Sequence, residues 1–235
     1  PGMEPDGEQL LTSREAIVMD QLPASMVVIG AGPIGMEFAH VWRTYGVKVT
    51  VVEMLPHALP REDEEVAAEI ERAFKRRKVE VLTSTRVEGV EKDGNTVRVR
   101  VSKDGVEQVI KAEKVLFAMG VRASSKGLGL EDVGVEMDRR GNIQVDDEMR
   151  TNVDGVYAIG DVTGKLALAH VASAQGLIAA EVIAGVETIK LDYEGIPACT
   201  YCSPQVASFG LNEAVAKERG INVKVGRFPF RANGK

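Results

Sequence analysis

Met26-Val-Val-Ile-Gly30-Ala-Gly32-Pro33-Ile34-Gly35 is the stretch whose reading decides the fold. The apolar run Met26 to Ile29 reads as a buried strand. It ends in Gly-x-Gly-x-x-Gly, and a helical pattern follows at Ile34, Phe38, Val41, Trp42 and Tyr45. A second strand, Lys48-Val-Thr-Val-Val-Glu53, comes next and ends in an acid. Strand, glycine turn, helix and acid-tipped strand together predict a dinucleotide-binding β-α-β unit. Gly30 is expected to allow the tight turn, Gly32 to let the backbone approach a pyrophosphate, and Gly35 to let the helix sit close to the strand. Pro33 suits the first helical turn, where its missing N–H is not needed. The free N–H groups and the positive helix end favour phosphate there. Glu53 can accept hydrogen bonds from both ribose hydroxyls, would repel a 2′-phosphate, and has no arginine after it until Arg61. NAD is therefore favoured over NADP.

The chain of 235 residues is long enough for one large domain or two smaller ones. Its 44% apolar and 27% charged residues are those of an ordinary globular protein. A net charge of −6 argues against a general nucleic-acid surface. No apolar run is long enough to span a bilayer, and no secretory-type leader is evident. With two cysteines only, a reducing, cytoplasmic compartment is the expectation. The chain opens Pro1-Gly-Met-Glu without an initiator methionine and closes at Asn233-Gly-Lys235, so both ends are expected to be cut from a longer protein. Cys199 and Cys202 have Cys-x-x-Cys spacing. They fall in a strand-like run, where residues three apart face opposite sides, and Ser203-Pro204 follows instead of a helix, so a redox role is disfavoured.

Residues 1–24 read as loop, apart from a short helix from Thr12 to Met19 opened by the capping box Thr12-Ser-Arg-Glu15. A helix is expected from about Arg61 to Lys78, with Val66, Ile70, Ala73 and Phe74 as its apolar stripe. Its acids, Glu62 to Glu65, and bases, Lys75 to Lys78, match the helix dipole and need no other partner. Residues 79–82 continue the parallel sheet. Three strand-like runs then follow, 86–90, 96–101 and 107–112, with turns at Asp93-Gly94 and Asp104-Gly105, and predict an inserted antiparallel meander. Lys114 to Gly120 returns as an apolar strand whose glycine would lie on the ligand edge of the sheet. Residues 121–147 read as irregular, 156–161 as a buried strand ending in Asp161, and 169–184 as a helix. Residues 197–210 and 223–230 read as strands around a helix at 212–219.

Several motifs then line up in one order: Gly30-Ala-Gly-Pro-Ile-Gly-Met-Glu37, Leu116-Phe-Ala-Met-Gly120, Thr151-Asn-Val-Asp-Gly-Val-Tyr-Ala-Ile-Gly-Asp161, Leu168-Ala-His-Val-Ala-Ser173, Pro204-Gln-Val-Ala-Ser-Phe-Gly-Leu-Asn-Glu213 and Val223-Lys-Val-Gly-Arg-Phe-Pro-Phe230. In this order the chain resembles the flavoprotein (pyridine nucleotide-) disulfide oxidoreductases, and within them the dihydrolipoamide dehydrogenase branch. The resemblance implies an α/β fold in four parts. Residues 1–23 would end a first FAD-domain segment, and 24–147 would be a Rossmann-like NAD-binding domain. Residues 148–190 would be a second FAD-domain segment, and 191–235 the start of an α+β dimerisation domain.

The implied reaction is oxidation of dihydrolipoamide by NAD through a disulfide and FAD, in a homodimer that can serve a 2-oxoacid dehydrogenase complex. By the same resemblance, Gly30, Gly32, Pro33, Ile34 and Gly35 would hold the NAD pyrophosphate and Glu53 the ribose. Val87 would pack on adenine, and Gly120 and Glu37 would lie near the nicotinamide. Asp161 would bond the ribityl chain of FAD, with helix N-capping as its alternative or joint role, and Ala167, Leu168, Ala169 and His170 would line the flavin. The family's Cys-x-x-x-x-Cys, its FAD glycine fingerprint and its C-terminal His–Glu dyad are absent from this sequence. His57 and Glu62 have the dyad's spacing but stand in the wrong place and read as loop residues. No catalytic residue and no metal site are assigned. Other readings stay open: a mercuric-reductase-like enzyme, a cysteine-free NADH:acceptor flavoprotein, and an NAD-binding module without chemistry of its own.

Overall fold

A parallel sheet of five strands carries the glycine fingerprint, with β2 (Ser25–Ile29) at its centre. The computed structural model describes residues 3–233. On one side of β2 lie β3 (Lys48–Val52) and β4 (Glu80–Leu82); on the other lie β8 (Lys114–Phe117) and β1 (Leu10–Leu11). The register pairs Val28 with both Val51 and Leu116. Side chains alternate along β2. Met26 and Val28 pack against α2 (Pro33–Thr44) and α3 (Glu64–Arg76), through Met36, Ala39, Trp42, Ile70 and Phe74. Val27 and Ile29 face the other way, onto Val97, Val99 and Val101. Those valines belong to the expected meander, β5 (Arg86–Asp93), β6 (Thr96–Lys103) and β7 (Val106–Ala112), which covers this face. Each of these fully buried valines contributes about 1.5–3 kcal/mol, while Arg98 and Arg100 between them face solvent.

The capping box forms at α1 (Ser13–Ile17), as expected. Several boundaries move. Leu10 and Leu11, within a stretch read as loop, form the edge strand β1, because a two-residue parallel pairing with β8 leaves no periodic signal. On α2 the buried face is Gly35, Met36, Ala39 and Trp42, whereas Val41 and Tyr45 are exposed. Small residues let the helix lie close to the sheet, and an apolar count that favours large side chains misses them. On α3 the buried set is Ala67, Ile70, Ala73 and Phe74, with Val66 at the exposed margin. The first hairpin turn is Gly94-Asn95, one residue later than expected, since Asp93 pairs with Thr96. Asp104 and Gly105, both at positive φ, form the second, the type that suits a two-residue hairpin.

Larger departures lie in the second half. Residues 156–161 do not form a strand. Tyr157 makes an isolated bridge to Arg150, and Gly160–Thr163 is a turn of 3-10 helix. The apolar run has no neighbouring strand to pair with among the described residues. Asp161 is not the cap of α4 (Ala169–Ile183), whose N-cap is Leu168. The 197–210 run splits into a short hairpin, β9 (Ala198–Thr200) and β10 (Val206–Ser208), which leaves Cys202 in the connecting loop. α5 (Glu213–Glu218) forms with Asn212 as its cap. Residues 223–229 are exposed and form no strand, for want of a partner strand among the described residues, and Phe230 opens a turn of 3-10 helix, Phe230–Ala232.

Candidate functional site

The strand order β4-β3-β2-β8-β1 reverses direction of travel between β2 and β8. Open parallel sheets bind ligands at such a point, outside the carboxyl ends of the strands. The fingerprint follows β2, Glu53 follows β3, and Gly120 lies three residues past β8, so all converge on that edge.

The three fingerprint glycines are required for different reasons. Gly30 has φ +105°, and a Cβ there would sit 2.5 Å from the Ala118 carbonyl oxygen. A Cβ on Gly35 would fall on the Gly30 carbonyl and lie 3.2 Å from Val28 Cγ1, so this glycine sets how closely helix meets strand. Gly32 is the N-cap residue of α2 with ordinary extended backbone, and a Cβ there would meet nothing within 4 Å. No contact within the protein requires glycine at that position. The open space beside it lies at the helix N-terminus, followed by Pro33 and Ile34 in the first turn.

Glu53 is nine-tenths buried. Its Oε2 accepts the Ala31 N–H at 2.7 Å and its Oε1 accepts the Leu55 N–H at 2.9 Å. The carboxylate therefore braces the glycine loop from the next strand, a second role that sequence reading missed. The Leu59 N–H, on the loop that follows, donates to the Ala31 carbonyl at 2.8 Å. Thr85 donates its N–H to the Glu53 carbonyl at 2.8 Å, which brings the start of β5 to the same edge. Val87 lies two residues on, half-buried beside a bulge in β5. Gly120 has φ +113° and open space around it, between exposed Met119 and Val121.

Glu37 is half-buried and accepts the Tyr201 N–H at 2.7 Å, so it ties α2 to the loop after β9. The thiol of Cys202 lies in that loop; burial, and then the negative charge of Glu37, push its pKa up to about 11. A thiol held protonated is a poor nucleophile. Cys199 is exposed and Cys202 buried, so the two do not share one surface.

On the second glycine turn, Asp161 is exposed and its carboxylate has no partner among the described residues. Ala167, Ala169 and His170 are exposed and Leu168 is half-buried at the start of α4. His170 Nε2 donates to the Pro197 carbonyl at 2.9 Å, which satisfies the ring locally.

The acids at the start of α3 have work that the dipole reading did not give them. Glu62 accepts from Ser208 Oγ at 3.0 Å, Asp63 from the Glu213 N–H at 2.7 Å, and Glu65 from Arg227 Nε at 2.6 Å. These contacts span about 150 positions of chain, and no local pattern announces them. No cluster of metal-ligating side chains occurs among the described residues, and no described helix is long and apolar enough to cross a membrane.

The fold defines an α/β protein with a Rossmann-like parallel sheet and an antiparallel meander packed on one face. Residues 1–176 match the pyridine nucleotide-disulphide oxidoreductase family, and residues 196–235 match that family's dimerisation domain; the chain belongs to this family. Its relatives include proteins named dihydrolipoyl dehydrogenase. That of Mycobacterium leprae is 52% identical over 227 residues, covering 96% of this chain and 49% of the relative. That of Bacillus subtilis is 42% identical over 237 residues, covering 100% and 50%. Among solved structures the chain is similar to LpdA from Mycobacterium tuberculosis, with a TM-score of 0.89 and 34% identity over 99% of this chain and 50% of that one. It is also similar to the HOCl-induced flavoprotein disulfide reductase RclA from Escherichia coli, with a TM-score of 0.87 and 27% identity over 100% and 53%. The chain spans about half the length of the curated relatives it matches.

Proposed function

We propose that this chain is the NAD-binding part of a flavoprotein that oxidises dihydrolipoamide with NAD. The observation that carries the proposal is the open space at Gly32, flanked by the buried carboxylate of Glu53. Gly30, Gly32, Pro33, Ile34 and Gly35 would seat the pyrophosphate. Glu53 has a lone pair left on each oxygen for the ribose hydroxyls, after the bonds to Ala31 and Leu55. Val87 would flank the adenine, with Gly120 and Glu37 towards the nicotinamide. The chemistry of the second turn suits FAD: the exposed Asp161 carboxylate, unpartnered among the described residues, can accept from ribityl hydroxyls, beside the accessible stretch Ala167, Leu168, Ala169 and His170. When bound, FAD would pass two electrons between a dithiol–disulfide couple and the nicotinamide. The residues of this chain would bind and orient both dinucleotides, and none is proposed to take part in the disulfide chemistry. The match to a dimerisation domain supports a homodimer, and membership of a 2-oxoacid dehydrogenase complex in the cytoplasm belongs to the same proposal.

Calorimetry of this chain with NADH and NADPH tests the cofactor reading, which expects NADH to bind more tightly. Assay of NADH formation from dihydrolipoamide, by protein of the relatives' full length, tests the substrate. The similarity to RclA supports a second reading, a disulfide reductase with another substrate. NADH-dependent turnover without lipoamide activity would favour it. This chain alone is expected to hold FAD poorly and to lack dihydrolipoamide dehydrogenase activity, since neither a second Gly-x-Gly-x-x-Gly nor Cys-x-x-x-x-Cys occurs in it. A yellow, stoichiometrically flavinated and active preparation would refute that.

A further inference from the structure

Gln175 is completely buried in α4, whose other buried positions, Val171, Ile178 and Ala179, are apolar. A buried amide is costly unless both of its ends are bonded, and here both are. Oε1 accepts the Gly160 N–H at 2.6 Å, and Nε2 donates to the Tyr193 hydroxyl at 2.8 Å. Because the Gly160 N–H can only donate, the orientation of the amide is settled by its partners. Thr163 Oγ1, also buried, donates to the Gly160 carbonyl at 2.8 Å. Gly160 is therefore held from both sides, in the left-handed region at φ +75°. The next residue is Asp161, exposed and without a partner for its carboxylate among the described residues. The turn has no strand ladder to hold it, so side chains do so instead.

We infer that Gln175 is a positioning residue for the flavin, fixing the Gly160 turn so that Asp161 presents its carboxylate to the ribityl hydroxyls. The inference rests on the flavin reading of Asp161 proposed above. It assigns Gln175 no contact with the cofactor. Its influence passes through one backbone bond, and the far end of the amide is held by Tyr193, whose ring lies 5.5 Å from Lys165 Nζ.

The test uses protein of the relatives' full length, stripped of flavin and titrated with FAD by fluorescence, with NADH affinity as a control. Gln175→Met keeps the volume and removes both bonds; it is expected to weaken FAD about tenfold and to shift the flavin absorption band. Asp161→Ala is expected to weaken FAD at least as much. The double variant should bind FAD within about twofold of Asp161→Ala alone, because the two act through one contact. Gln175→Glu, which still accepts from Gly160, should stay within about threefold of wild type. Amide hydrogen exchange should speed up at residues 160–164 in Gln175→Met and not along α4. If Gln175→Met does not fold, Gln175→Asn, too short to reach Gly160, replaces it with the same expectation. Unchanged FAD affinity in Gln175→Met with a loss in Asp161→Ala overturns the positioning role alone, and so do fully additive losses. Unchanged affinity in Asp161→Ala overturns the flavin reading, and the inference with it.

Discussion

The turn at Gly30–Gly35 and the turn at Gly160–Gly164 both carry glycine at positive φ, and both lead towards a helix, yet they are built differently. The first is wedged between the ends of β2 and β8 and the start of α2, where two of its glycines touch neighbouring backbone or strand side chains closely. Its geometry follows from backbone sterics within a short stretch of chain. The second has no strand before it and is held by Gln175 and Thr163. At Gly30 and Gly35 the wedged turn leaves no room for an added carbon, whereas a turn pinned by side-chain hydrogen bonds is only as rigid as those bonds. The first can be read from a spacing of glycines, and the second needs knowledge of what a helix fifteen residues away buries.

The harshest way to break the first turn is Gly35→Val. Its side chain would strike the Gly30 carbonyl and Val28, and a loss of about 3 kcal/mol or more is expected in chemical denaturation. A well-folded Gly35→Val would show that the turn is not sterically wedged. Next in size, Gly32→Val should leave the chain folded, with a loss of about 1 kcal/mol from its N-cap position, since a Cβ there meets no protein atom within 4 Å. NADH binding should nevertheless be lost from the calorimetric range. Retained affinity would mean that the open space is not where pyrophosphate sits.

Glu53→Ala sharpens the comparison, because at Glu53 the first turn also leans on a side chain. NADH binding should weaken by about 1.5–3 kcal/mol, and the preference over NADPH should shrink. The smallest effect concerns a polar link between helices. Arg77 Nη1 donates to His40 Nδ1, joining α2 to the residue that follows α3. Burial, and then the Arg77 charge, hold the His40 pKa below its usual value. A folded-state pKa below the unfolded value of about 6.5 gives stability that is complete above that pH and is lost as pH falls through the folded value. Thermal melts between pH 7.5 and 5 should therefore show wild type losing more stability than His40→Gln. Parallel losses in the two proteins would remove this link from the account.

Family membership and half of the fold were legible because they rest on short-range rules. Alternation in β2 and β6, the capping box at Thr12 and the hairpin at Asp104-Gly105 each draw on residues within a few positions of one another. The position of the glycine turn and of Glu53 at the strand ends was legible for the same reason, since motif and strand adjoin there. Misreadings fall where apolar sequence lacks a partner. Residues 156–161 and 223–230 have strand-like composition, but a strand exists only when a neighbour takes up its backbone groups. By itself, the sequence determined the glycine turn between strand and helix, the acid at the end of the next strand, and the inserted meander, because backbone sterics and side-chain periodicity act locally. Tertiary structure alone decided that Glu53 braces the glycine loop, that Asp63 and Glu65 hold residues 213 and 227, and that Gln175 pins Gly160. Those bonds join groups that only the folded chain brings within 3 Å, and a buried polar atom bonds to whatever donor or acceptor the packing supplies.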